Sequence, residues 1–109
     1  MSLISLQKIT LLDGVSAAGA GSSFSVERSK GWTFTIASSS TTSGATVDVE
    51  AYIGTGANPW RVIHSETVTA DGNVMIRDDH GHYEKIRCNV SAYTDGTYSV
   101  FATGTTASL

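Results

Sequence analysis

The stretch Val47-Asp48-Val49-Glu50-Ala51-Tyr52-Ile53 alternates apolar and polar residues with period two along its whole length. Successive side chains of an extended chain point to opposite faces, so this pattern describes a strand with one buried face and one wet face. Val47, Val49, Ala51 and Ile53 fall on the buried parity, and Asp48, Glu50 and Tyr52 on the wet one. A helix would need apolar residues every three or four positions, and the stretch does not provide them.

The same grammar runs outward in both directions. Trp32-Thr33-Phe34-Thr35-Ile36 puts three large side chains inward and two threonines outward. Phe24 to Glu27 reads as a short strand, closed by a turn at Ser29-Lys30-Gly31. Trp60 to Thr69 reads as a strand that bulges near His64-Ser65, where the apolar parity shifts. Asp71-Gly72-Asn73 is a hairpin signal leading to inward Val74 and Ile76. From Tyr83 to Tyr93, Ile86, Cys88, Val90 and Ala92 share a face. The turn Thr94-Asp95-Gly96-Thr97 then leads to inward Tyr98, Val100 and Ala102. Pro59, the only proline, sits in the Gly54–Pro59 turn and not in a central strand. These strands predict an all-β, antiparallel β-sandwich, jelly-roll-like, with seven or eight strands. The expected organisation is an N-terminal strand or extended arm over 1–23, the sandwich over 24–104, and a flexible tail over 105–109.

Composition narrows the role. The chain has 109 residues, 40% of them hydrophobic and 16% charged, which is one domain with a packed interior and few charges. Serine and threonine fill the missing charge, at more than a quarter of the sequence. The net charge is −3, with Lys and Arg scattered. That excludes the clustered basic surface of a nucleic-acid-binding protein. No segment approaches the ~18 apolar residues of a membrane span, and the first residues do not read as a signal peptide. Cys88 is the single cysteine, so no internal disulfide forms, and its parity with Ile86 and Val90 makes it a buried hydrophobe.

No constellation of side chains reads as catalytic, and no cofactor motif is present. Asp78-Asp79-His80-Gly81-His82 gathers ligand-capable residues. Gly81 breaks the face that the two histidines would share, so a solvated turn outweighs a metal site or a pH-sensitive contact. His64 and several serines and aspartates exist, but without a nucleophile elbow. Aromatic rings remain as the candidate interaction surface: Tyr52, Trp60, Tyr93 and Phe101. Rings at such positions pack in protein interfaces or stack on sugars, which leaves a glycan as a possible partner.

The segments Leu11-Leu12-Asp13-Gly14-Val15, Ala18-Gly19-Ala20-Gly21 before Phe24-Ser25-Val26, Trp32 to Ile36, Ser43 to Ala51 leading to Trp60-Arg61-Val62-Ile63, and Tyr83 to Val100 together resemble small virion proteins of tailed bacteriophages. The similarity covers nearly the whole chain, and the final hairpin, turning at Thr94-Asp95-Gly96-Thr97, is its most telling part. The chain departs from that pattern at Asp78–His82. The resemblance implies a head decoration (cement) protein, or a neck, tail or fibre component, made in the host cytoplasm and carried in the virion. Its partners would be other copies of itself, with a trimer favoured, and virion proteins such as the major capsid protein. It implies no enzymatic activity and no cofactor. A carbohydrate-binding or receptor-recognition module is the alternative.

Overall fold

A four-stranded and a five-stranded antiparallel sheet face each other across one apolar core in the computed structural model. Its described backbone covers residues 3–26, 29–54, 56–57, 59–78 and 83–108, with side chains described over 8–26, 31–54, 56–57, 59–78 and 83–104. The strands are β1 (Leu3–Val15), β2 (Gly19–Ala20), β3 (Phe24–Ser25), β4 (Ser29–Ser39), β5 (Ala45–Tyr52), β6 (Trp60–Val68), β7 (Gly72–Asp78), β8 (Lys85–Tyr93) and β9 (Thr97–Ser108). Sheet A has the order β1-β9-β4-β7; sheet B has the order β2-β8-β5-β6, with β3 also pairing β8. Among the described residues no helix is long and apolar enough to cross a membrane.

The pairing identifies the fold as a jelly roll. When β2 and β3 are taken as one interrupted strand, the first strand pairs the last, the second the seventh, the third the sixth and the fourth the fifth. That nested order is a long antiparallel hairpin rolled into two sheets.

The inward parity predicted from alternation is where the core lies. Val47, Val49 and Ala51 from β5 meet Ile86, Cys88 and Val90 from β8, and across the interior face Phe34, Ile36, Tyr98, Val100 and Ala102. Ile53, read as inward, is instead 44% exposed. It lies past the end of β5, where the opposite sheet no longer covers it.

Four readings change. β1 is not a separable arm: it pairs β9 from Leu3↔Ser108 to Val15↔Tyr98 and puts Ile9, Leu11 and Leu12 into the core. Leu11 and Leu12 can both be buried because the register shifts between Thr10 and Leu12, which lets consecutive residues face inward. The same pairing holds β9 in the sheet as far as Ser108, so Thr105–Ser108 is a strand end and not a loose tail; Leu109 lies outside the described residues. Ser29–Gly31 is the bulged start of β4, with Gly31 at φ 98°. Finally, Asp71-Gly72 does not close a hairpin, because β6 belongs to sheet B and β7 to sheet A. The same is true of Thr94–Thr97 between β8 and β9. Both turns carry the chain from one sheet to the other.

Those crossings are held by side chains. The Asp95 carboxylate accepts backbone N–H groups from Thr42 (3.0 Å), Ser43 (3.0 Å) and Gly44 (2.8 Å). Thr94 N–H and Asp95 N–H in turn donate to the Gly44 carbonyl. This ties the β4–β5 crossing to the β8–β9 crossing. The backbone donors hold the Asp95 carboxyl below the usual carboxylate range. Gly44, at φ +100°, admits no side chain, since a Cβ would enter the Val68 carbonyl.

Candidate functional site

The four aromatic residues singled out from sequence fall in three places. Tyr52 and Trp60 face each other across the β5–β6 pair on the outer face of sheet B. Their rings meet edge-on at 5.4 Å between centroids. Phe101 lies on the outer face of sheet A and is 42% exposed. Tyr93 turns inward, against the expectation of a surface ring. Its ring meets Tyr98 edge-on at 6.4 Å, and its hydroxyl donates to the Gly96 carbonyl at 2.9 Å. The cause is a bulge: Thr46 pairs Ala92 but Val47 pairs Val90, so Ser91 is the extra residue. The parity of β8 therefore flips, leaving Ala92 exposed and sending Tyr93 toward the core.

Around Tyr52 and Trp60 the outer face of sheet B is built as one interlocked layer. The Arg87 guanidinium lies over the Trp60 ring, 4.3 Å from its centroid. Its Nε also donates to Glu50 Oε1 at 2.7 Å. The Lys85 ammonium stands 5.2 Å from the Tyr52 centroid. Ser65 donates its hydroxyl proton to Asp48 Oδ1 at 2.6 Å. Asp48 and Glu50, read as a wet surface, are each only 8% exposed, because these neighbours close over them. Such stacking directs a cation at the π-face of the indole. One face of the Trp60 indole is therefore covered by the chain's own cation.

A second cluster joins residues that sequence reasoning left apart. His64 on β6 places Nε2 3.0 Å from Asp78 Oδ2 on β7, and Tyr83 donates its hydroxyl to the same oxygen at 2.6 Å. The His64 ring packs on Phe34 at 5.7 Å. Burial, then the hydrogen bond to Asp78 and its charge, push the Tyr83 phenol up to about 12. The bulge read near His64 is present, with Ile63 extra between Val62 and His64. It turns His64 inward toward Asp78. The cluster bridges the edge strands of the two sheets and gives the interior a polar tie. Asp79, His80, Gly81 and His82, the proposed turn or metal cluster, lie outside the described residues. Among the described residues no group of three or more His, Cys, Asp or Glu side chains is placed to hold a metal ion.

Cys88 is fully buried, and burial, with the charges of Glu50 and Asp48 behind it, pushes its thiol up to about 12. It is an inert core side chain.

No protein-family model matches the chain, and no curated protein matches it. Solved structures do match. One is described as a Bacillus endospore appendage of a family of disulfide-linked pili; it covers 97% of this chain and 90% of that one, with a TM-score of 0.62 and 11% identity. The two chains share a fold. That match is to a bacterial appendage, and it overturns the reading of this chain as a phage head, neck or tail protein. The strand-and-turn patterns behind that reading belong to the jelly roll, and one fold carries many roles.

Proposed function

We propose that this chain is a structural building block that associates with further copies of itself in an appendage-like assembly. The observation that carries this reading is the similarity to a pilus subunit across nearly the whole of both chains. The side chains agree with a mechanical role: the ring and charge clusters use their hydrogen-bonding and π capacity on one another. Large apolar side chains meanwhile stand exposed on both outer faces, Met75 at 68% and Val62 at 51%.

The chemistry of cohesion would differ from that of the disulfide-linked neighbour. The only cysteine in these 109 residues is in the core, so copies would be held by non-covalent contacts. The test is light scattering over a wide concentration range, with and without a thiol reductant, followed by electron microscopy of the concentrated sample. The expected result is a mass that rises with concentration and ignores the reductant. A monomer at every concentration overturns the proposal.

A further inference from the structure

The two sheets end differently at their edges. Among the described residues, sheet B is bounded by β6 on one side and by β2 with β3 on the other. β6 is bulged at Ile63, and β2 and β3 hold two residues each. A bulged or very short edge strand is a poor template for a further strand. Sheet A, among the same residues, ends on β1 and β7, each paired on one side. β7 pairs β4 from Gly72↔Ser38 to Asp78↔Trp32 without a register shift. β1 pairs β9 without a shift from Leu3↔Ser108 to Thr10↔Phe101, and its shifts come after Thr10. Past that point the returning chain lies against β1: a Cβ on Gly21 would come 2.7 Å from the Leu11 carbonyl oxygen. The open, regular edges are therefore Leu3–Thr10 and Gly72–Asp78, and both belong to sheet A.

We infer that copies of this chain join edge to edge, the β7 edge of one copy receiving the Leu3–Thr10 edge of the next, so that sheet A runs on from copy to copy. The inference rests on the proposed self-association and names its surface. An open edge lacks partners for the outward N–H and C=O groups of every second residue. Another extended backbone supplies those groups at the matching spacing. Strand direction allows the join. The three pairings within sheet A are all antiparallel, so β1 and β4 run one way and β9 and β7 the other. A second copy, set beside the first in the same orientation, therefore brings its β1 antiparallel to β7. That is the commoner and slightly stronger pairing. With an odd number of strands in the sheet, the same step would have been parallel.

Joins of like with like, β1 on β1 or β7 on β7, are also antiparallel. Each uses the same edge on both copies and closes as a two-fold pair, so growth then needs a second kind of contact. Joining β7 to β1 uses two different edges. Every added copy carries a fresh one, and growth stays open-ended with a single kind of contact. That is the property an appendage-like assembly needs. The join is made by backbone atoms and requires no cysteine, in keeping with a chain whose single thiol is buried.

Cross-linking between introduced cysteines tests this. Lys8→Cys and Thr10→Cys label the β1 edge, and Asn73→Cys and Met75→Cys label the β7 edge. All four positions are exposed, and thermal unfolding checks that each variant folds. A short bis-maleimide is added at a concentration where the wild type associates, with the wild type itself as the control for Cys88. Identical positions on successive copies would lie four strands, ~19 Å, apart, too far for such a linker. Each variant alone is therefore expected to give no linked product. At least one of the four 1:1 mixtures of a β1 variant with a β7 variant should give a linked pair of twice the mass, and the matching double variant a ladder. The inference is overturned if single variants link to themselves, or if no β1–β7 mixture links. Either result, with an associating wild type, leaves the building-block reading standing. A wild type that never associates removes both.

Discussion

Replacing Arg87 by alanine tests whether the aromatic layer on sheet B is a fixed part of the fold. The truncation removes two contacts. One is the charge-assisted hydrogen bond to Glu50, at 2.7 Å with the Glu50 side chain 10% exposed. Leaving a charged group without its partner costs about 1–3 kcal/mol when it is shielded from water. The other is the guanidinium over Trp60, about 0.5–1 kcal/mol at a site that water reaches. The Arg87 side chain is itself 25% exposed, so some hydration of Glu50 follows the truncation and the lower part of the range applies. The expected loss is about 2 kcal/mol, or a fall in melting temperature of roughly 8–12 °C for a domain of this size. Urea unfolding gives the free energy, and acrylamide quenching of tryptophan fluorescence should rise as Trp60 is uncovered. In Glu50→Gln the uncompensated charge is gone, so adding Arg87→Ala should cost about 1 kcal/mol less than it does in the wild type. Arg87→Lys should recover only part of the loss, because an ammonium cannot lie flat on the indole while bonding the carboxylate. A change under about 0.5 kcal/mol with unchanged quenching would refute the reasoning and make the pair an ordinary surface contact.

Two further predictions concern the frame. Gly104→Ala places a Cβ 2.7–2.8 Å from three atoms of the Trp32 ring, which is 2% exposed and stacked on Phe34. Overpacking of this kind costs about 1–3 kcal/mol, and Trp32→Phe in the same chain should relieve part of it, as read by calorimetry. Asp95 governs acid stability: its carboxyl titrates lower in the folded chain than in the unfolded one, so its contribution is fully present above the ordinary carboxylate range and is lost as pH falls below that range through the lower folded value. Asp95→Asn should therefore melt lower at neutral pH and lose less on going from neutral pH to pH 3; parallel melting curves for the two proteins across that range would contradict this.

The period-two alternation of Val47–Tyr52 and Trp32–Ile36 established strands, inward faces and a two-layer all-β fold, because facing is a local property of an extended backbone. Val47, Val49, Phe34, Ile36, Tyr98 and Val100 are at most 1% exposed, as that parity requires. Residue spacing could not say which strands pair. Asp71-Gly72 and Asp95-Gly96 have the chemistry of hairpin turns, yet both connect strands of different sheets. A turn residue sets a local dihedral, whereas the choice of partner is made by burial over the whole molecule. The bulge at Ser91 is equally invisible in sequence, and it alone sends Tyr93 inward.

The candidate surface shows the same division. Alternation placed Tyr52 outward and marked Phe101 as exposed, and both are so placed. The cover that Arg87 makes over Trp60 depends on β8 lying beside β5 and β5 beside β6. The union of His64 with Asp78 and Tyr83 depends on the two sheets closing edge to edge. The order of the amino acids by itself determined which side chains leave water, since hydrophobicity and backbone period act residue by residue. Only the tertiary structure decided which of them meet, because each meeting joins strands brought together by the rolled-up pairing of the whole chain.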